Sequence, residues 1–339
     1  MAGDEMGFAL FLVVTTFLLT LLLTGMVRRY AIRRAILDVP NHRSSHSEPV
    51  PRGGGVAIVA AIGMALAAIM QVAPIPDGVA TALVGGGGAV ALIGWFDDRY
   101  TLSAGLRAVV HLLAAAWALV AVVGVDRFAR DPGGSLLAIL FIAWLTNLYN
   151  FMDGADGVAG TETICAGLVG AVLLAFHGQP GLALLSLATA AAAAGFLVWN
   201  WPPARIFMGD VGSCFLGFSF GVLALAGEKV GAVPLLIWIV VLGVFFWDAS
   251  FTLIRRVLAG EPWYAAHRTH AYQRLIQLGW SHRRVALAVL AGNVLLMPFV
   301  WAASIWDNGI VPIVAGSALL CGAAWWTIQR HHRKKVASR

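Results

Sequence analysis

Apolar residues fall into long runs along this chain, and polar residues gather in the short gaps between them. Runs of spanning length occupy about 6–27, 53–72, 79–96, 105–123, 135–149, 157–177, 181–199, 211–227, 232–254, 285–305 and 310–328. A helix rises about 1.5 Å per residue, so roughly twenty apolar residues cross a hydrocarbon core. The pattern therefore predicts an all-α, polytopic integral membrane helix bundle of about eleven transmembrane helices. The fifth and eighth runs are short for a bilayer. The third carries glycines at 85–88, which suit close helix contact inside a bundle. Acidic Asp4 and Glu5 precede the first run, which is too long for a cleaved leader, so it reads as the first span. No tandem repeat or soluble segment breaks the series, and residues 1–339 read as one membrane domain.

Composition supports the pattern. Of 339 residues, 60% are apolar and only 12% charged, with a mean hydropathy of +0.82. A soluble domain carries about 25% charged residues, so a water-soluble fold is excluded. Orientation follows from Lys and Arg in the gaps. With eleven alternating spans, one side holds about 28–52, 97–104, 150–156, 200–210, 255–284 and the tail. That side then holds all of the 23 basic residues except Arg127, Arg130 and Lys229. It reads as cytoplasmic, with the N-terminus outside and the C-terminus inside. The net charge of +6 is this inside bias and needs no nucleic-acid partner. Cys165, Cys214 and Cys321 sit within or at the ends of apolar runs without CxxC spacing, so neither disulfides nor a zinc site is expected.

The same orientation sorts the acids. Asp97 and Asp98 follow the third span, Asp153 and Asp156 follow the fifth, and Asp210 precedes the eighth. All five lie in short gaps on the basic side, at membrane-edge depth, where bundling brings them together. Each group also fits a plain helix end or cap. Five short-armed carboxylates suit a hard divalent cation, Mg²⁺ foremost with Mn²⁺ as the alternative, sharing its coordination with phosphate oxygens. Gly154, Gly157, Gly209 and Gly212 allow close backbone approach, and a helix starting at Val211 would aim its amides at an anion. His42, Arg43, His46 and Arg52 supply positive charge in the first gap; Arg255, Arg256, His267, Arg268 and His270 supply it in the long one. His267 and His270 share a face if helical, but no third ligand makes them a zinc site. Asp248 lies within or near the end of the ninth span, where an acid is functional or paired, with Arg255 or Arg256 as candidate partners. Carboxylates for a cation, bases for phosphates and a membrane-edge location imply a soluble phosphorylated donor meeting a lipid-borne acceptor.

At these residues the chain resembles the polyprenyl-phosphate N-acetylhexosaminyl-1-phosphate transferases. The similarity runs from about 38 to 273 through "PRGGG" at 51–55, "FDDR" at 96–99, "NFMDGADG" at 150–157, "PARIFMGDVGS" at 203–213, and "RR" with "HRTHAYQ" in 255–273. The resemblance implies transfer of a HexNAc-1-phosphate from a UDP-HexNAc donor to undecaprenyl phosphate, with release of UMP, in the bacterial inner membrane. By position it makes Asp97 and Asp98 the family's aspartate pair, one of them a base or nucleophile, and Asp210 the Mg²⁺-binding aspartate with Asp98. It places Phe207 against the uracil and Asn150, Asp153 and Asp156 along the catalytic cleft. Arg52, His267, Arg268 and His270 fall to the donor's sugar and phosphates. Ala271, Tyr272 and Gln273 replace a histidine cluster found in many members, and Ser44 and Ser45 stand where others carry a lysine. Both departures bear on the donor sugar, and the pattern is nearer to O-antigen and surface-polysaccharide initiators than to the peptidoglycan precursor enzyme. A homodimer is allowed. The rival reading is a secondary transporter using intramembrane acids such as Asp248, although its acids would sit mid-membrane and be accompanied by a repeat.

Overall fold

The computed structural model describes residues 2–40, 48–262, 265, 267–306 and 309–338. His42, Arg43 and His46 lie outside the described residues. The architecture is all-helical apart from one two-residue hairpin. α1 (Ala2–Arg33) leads into β1 (Leu37–Asp38) and β2 (Val50–Pro51), which pair antiparallel with Leu37 opposite Pro51. There follow α2 (Gly55–Ile69), then α3 (Val79–Thr81) and α4 (Gly88–Tyr100) joined by a π-helical segment, Ala82–Gly87. Next come α5 (Ala104–Val123), the short α6 (Asp126–Arg130), α7 (Pro132–Met152), α8 (Val158–Phe176) and α9 (Pro180–Asn200). The chain closes with α10 (Asp210–Lys229), α11 (Leu235–Val241), α12 (Gly243–Leu258), α13 (Ala271–Gln277), α14 (His282–Ile305) and α15 (Ile310–Ala337).

Local chemistry sets the helix ends. Ser103 accepts from the Leu106 amide, and Ser281 accepts from the Arg284 amide, each a side-chain cap on an orphan donor. Asp131 does the same for Gly134 at 2.8 Å, with Pro132 in the first turn where no amide is required.

Every apolar run becomes helix, though the helices differ in length. Among the described residues nine helices are long and apolar enough to cross a bilayer, and the bent pair α11–α12 makes a tenth. The run at 53–72 gives the shorter α2, of 15 residues, yet its exit reaches the opposite ends of the bundle, where Pro74 abuts Gly181 and the Asp77 carbonyl accepts from Lys229 Nζ at 3.3 Å. Gly53, at φ +95°, and Gly54 are drawn into a loop, and the run frays into turns after Ile69. The Gly54 and Gly55 amides donate to the Phe207 and Met208 carbonyls, both at 2.9 Å, so α2 starts against the segment that leads into α10.

α10 is the centre of the bundle. Its apolar stretch is wholly buried, and it touches α2, α4, α5 and α7. Small residues make this possible. A Cβ on Gly94 would come within 2.6 Å of the Asp210 carbonyl, and one on Gly86 within 2.7 Å of the Phe218 ring. The α8–α9 hairpin lies against α10 on one side and α1 on the other.

α11 and α12 meet at 91°. A helix broken inside a bilayer leaves amides that must find partners in protein. Here Glu162 of α8, fully buried, accepts from Asn293 Nδ2 of α14 at 2.6 Å and faces the Phe245 backbone in the first turn of α12. Three helices are thus tied at the bend by a polar pair that the hydropathy pattern does not reveal. Glu162→Ala should lower stability in detergent by about 1–3 kcal/mol, the usual cost of stranding buried polar groups, while Glu162→Gln should retain most of it. Equal unfolding midpoints for Glu162→Ala and the parent protein would show that the bend does not need this pair.

Candidate functional site

The β1–β2 hairpin delivers Arg52. Phe207 donates its amide to the Pro51 carbonyl at 2.8 Å, which lays the 51–55 segment alongside 207–208 and sets Arg52 over the start of α10. From there Arg52 Nε reaches Asp98 Oδ1 at 2.8 Å and Arg52 Nη2 reaches Asp210 Oδ1 at 3.2 Å. Burial pulls the Arg52 guanidinium down, but Asp98, Asp210, Asp38 and Asp97 together hold it above its ordinary value.

A second arginine completes the cluster. Arg107, on the second turn of α5, puts Nη1 at 2.8 Å from both Asp97 Oδ2 and Asp210 Oδ2. The remaining Asp97 oxygen accepts from the Leu102 amide at 2.6 Å and closes the end of α4. Sequence reasoning counted Arg107 only as a flanking charge. Its partner Asp210 is 103 residues away, and no local pattern signals that pairing.

Asp98 occupies the place expected for a phosphate. Its Oδ1 accepts from the Asp210 amide at 2.9 Å and its Oδ2 from the Val211 amide at 3.4 Å. The N-terminus of α10 is thus capped by a carboxylate from α4, and the expectation that its first amides face an anionic ligand is corrected. The helix dipole and Arg52 both stabilise the ionised Asp98.

The turn after α7 brings in the next groups. Asn150 hydrogen-bonds Asp210. Asp153, half-buried, is pushed well above the usual carboxylate range by burial and then by Asp210 and Asp98, with Arg52 opposing and Asp156 adding to the rise. Asp156 faces elsewhere: Oδ2 accepts from the Ala204 amide at 3.0 Å, and Oδ1 lies 3.1 Å from His282 Nδ1. It joins the 150–157, 200–210 and 280s segments and orients the cleft from behind. Phe207 is half-buried beside the 51–54 segment.

The basic loop stands on the other side of that turn. His267 and His270 are not helical, yet their ring centroids lie 4.8 Å apart. Burial, then His270, Arg256 and Arg255, push His267 down to about 3. It is therefore a neutral hydrogen-bonding ring near pH 7, 3.1 Å from the Thr269 hydroxyl, rather than the cation expected of it. Arg268 is half-buried, and its carbonyl accepts from Gln277 at 2.9 Å. Asp248 does not pair with Arg255 or Arg256, which turn to Glu261 at 3.8 and 2.7 Å. Instead its oxygens accept from the Ala271 and Tyr272 amides at 2.8 and 3.2 Å and cap α13. Tyr272 in turn donates its hydroxyl to the Phe151 carbonyl at 2.9 Å, which joins the basic loop to the 150–157 turn.

Among the described residues no three His, Cys, Asp or Glu side chains form a ready metal centre. The donor set nevertheless fits a hard divalent cation. Asp97, Asp98, Asp153 and Asp210 face Arg52 and Arg107. Four carboxylates against two guanidiniums leave two formal negative charges when all are ionised. Burial foremost, and then the charges of Asp210 and Asp98, raise the Asp153 carboxyl there. A divalent cation entering there would compete with the arginines for the same oxygens.

Residues 80–228 match the family model described as glycosyl transferase family 4. That stretch holds every carboxylate of the cluster and Arg107, but not Arg52 or the 267–270 loop. The chain is 34% identical over 288 residues to a probable undecaprenyl-phosphate N-acetylglucosaminyl 1-phosphate transferase of Bacillus subtilis, covering 81% of this chain and 79% of that one. It is 31% identical over 347 aligned positions to a decaprenyl-phosphate N-acetylglucosaminephosphotransferase of Mycolicibacterium smegmatis, covering 91% and 85%. To an undecaprenyl-phosphate alpha-N-acetylglucosaminyl 1-phosphate transferase of Escherichia coli it is 24% identical over 302 residues, covering 84% and 80%.

If Asp248 is the cap that orders α13, Asp248→Ala should speed amide exchange across 271–277 about tenfold and leave the first turn of α10 unchanged. Unaltered exchange in α13 would remove that role.

Proposed function

As the chain belongs to glycosyl transferase family 4, among the polyprenyl-phosphate N-acetylhexosamine-1-phosphate transferases, we propose that it moves a HexNAc-1-phosphate from a UDP-sugar to undecaprenyl phosphate. UMP leaves and a lipid-linked diphosphosugar forms, the first intermediate of a bacterial surface polysaccharide. UDP-GlcNAc is the first donor to test, because the relatives' names specify N-acetylglucosamine. The reaction would occur at the cytoplasmic face of the inner membrane, where the positive-inside pattern puts the basic loops.

One observation carries this reading: Asp97, Asp98 and Asp210 meet Arg52 and Arg107 at the ends of membrane helices, beside Asn150 and Asp153. Donor diphosphate and acceptor phosphate are both anions. Bringing them together needs positive charge held in place beforehand, and Arg52 and Arg107 supply it. Asp210 and Asp98 would hold Mg²⁺, or Mn²⁺ in its stead, which adds charge neutralisation at the diphosphate when bound. Asp97 and Asp98 take the base-or-nucleophile role; Asp98 is fixed for it by two backbone amides and Arg52. Asp153 lines the cleft, and Asp156 holds its loops in register. Phe207 is placed for the uracil, while His267, Arg268 and His270 receive the sugar and phosphates. A neutral His267 does so as a hydrogen-bond partner.

Membranes containing the protein should exchange labelled UMP into UDP-GlcNAc when undecaprenyl phosphate and Mg²⁺ are present, and stop when Mg²⁺ is chelated. Asp98→Asn and Asp210→Asn should each lower turnover by about 100-fold or more without loss of folded protein. No exchange with any common UDP-HexNAc would rule out the reaction, and near-normal activity in both variants would rule out the site.

A further inference from the structure

A cavity of about 430 Å³ lies between α12, α13, α14 and α15, walled by apolar side chains that include Val244, Leu275, Trp280, Val289, Leu296 and Trp325. Where α15 leaves the apolar stretch, its basic turns meet α13. Arg274 Nη1 stands 2.6 Å from Nδ1 of His332, and Lys335 Nζ donates to the Leu278 carbonyl at 3.0 Å. Arg333 and Lys334 are exposed on the same stretch of helix. Arg255 closes α12 nearby, and Glu261 gives its close contact to Arg256 at 2.7 Å. Among the described residues Arg255 Nε and Nη2 and Arg274 Nε are buried without a hydrogen-bond partner, Glu261 lying 3.8 Å from Arg255 Nη2. Burial, then the like charges of Arg255 and Arg333, pull Arg274 below its ordinary value, with Glu261 alone opposing. Arginines in excess of their one carboxylate partner, Glu261, next to the Leu275 and Ile328 walls of an apolar cavity have the complement of a lipid with an anionic head.

This cluster is separate from the aspartate site. The charges acting on Arg274 are Arg255, Arg333 and Glu261, whereas those acting on Arg52 are Asp98, Asp210, Asp38 and Asp97. A phosphate held at Arg274 would therefore border the basic loop, through Arg255 and His267, rather than the aspartate cluster.

We infer that this is a binding site for an anionic phospholipid of the surrounding bilayer, with its chains in the α12–α15 cavity and its phosphate among Arg255, Arg274 and Arg333. An occupant there bears on α13 and, through the Tyr272 hydroxyl on the Phe151 carbonyl, on the 150–157 turn. Lipid composition would then tune the order of the basic loop without touching the reacting groups.

Native mass spectrometry of the delipidated protein in detergent tests this directly, with dioleoylphosphatidylglycerol and dioleoylphosphatidylcholine as probes. The parent protein should retain the glycerol lipid at least about tenfold more tightly, and the double variant Arg274→Gln/Arg333→Gln should lose about that advantage. Equal retention of the two lipids, or undiminished retention by a folded double variant, would overturn the proposal. So would one-for-one displacement by undecaprenyl phosphate, which would identify the acceptor as the occupant. Should the double variant fail to fold, the lipid comparison and the displacement on the parent protein still decide. No sugar transfer is measured, so the result stands apart from the proposed reaction.

Discussion

The structure depends on how Asp98 and Asp210 are held at the end of a buried helix. Removing a carboxylate from water costs several kcal/mol unless it is paired and hydrogen-bonded. Both are. Asp98 is held by Arg52 and the first amides of α10, while Asp210 is held by Arg52 and Arg107. Those contacts dictate the packing around them. α4 must come close enough for Asp98 to cap α10, which leaves no room for a side chain on Gly94. α2 must start against the approach to α10 so that the hairpin can deliver Arg52, and Gly55 meets Gly212 without side chains between them. The shortness of α2 follows: the first residues of its apolar run are used to place a guanidinium.

The parts visible in the sequence were those that depend on local pattern. Each apolar run is helical because twenty apolar residues leave the backbone no other way to satisfy itself in lipid. The aspartates converge because all of them sit at one edge of the bundle. The arginine partners of Asp210 were not visible, since they lie 103 and 158 residues away. Arg107 looked like one more inside-facing base, and nothing in the sequence showed that both Asp98 oxygens accept from backbone amides. His267 looked cationic because sequence carries no measure of burial or of the arginines around it.

Asp248 was read as functional or paired with Arg255 or Arg256, and its oxygens go instead to backbone amides. A buried acid that the sequence did not single out, Glu162, also serves structure. Asp248 caps a seven-residue helix, and Glu162 ties a broken helix to its neighbours. Both sit against backbone where a chain turns inside the bundle, and amides freed there need acceptors that water does not provide. Asp248 had been the motive for a transporter reading, and its oxygens are already committed to α13. The acids that remain at the membrane edge are the ones shared with Arg52 and Arg107.

A site of this kind has to be rigid in one part and yielding in another. The aspartate–arginine cluster is rigid, because every carboxylate oxygen of Asp97, Asp98 and Asp210 has a partner within 3.4 Å. The basic loop at 267–270 is held more loosely, by the Asp248 cap, the Tyr272 hydroxyl and one bond from Gln329 to the Thr269 carbonyl. In the proposed reaction a nucleotide-sugar would enter and its nucleotide leave, which suits a loop that is cheap to move beside charge-bearing groups that are fixed. The division falls at the 150–157 turn, which touches both halves. That is why its two aspartates differ: Asp153 shares the field of the fixed cluster, and Asp156 braces the loops around it.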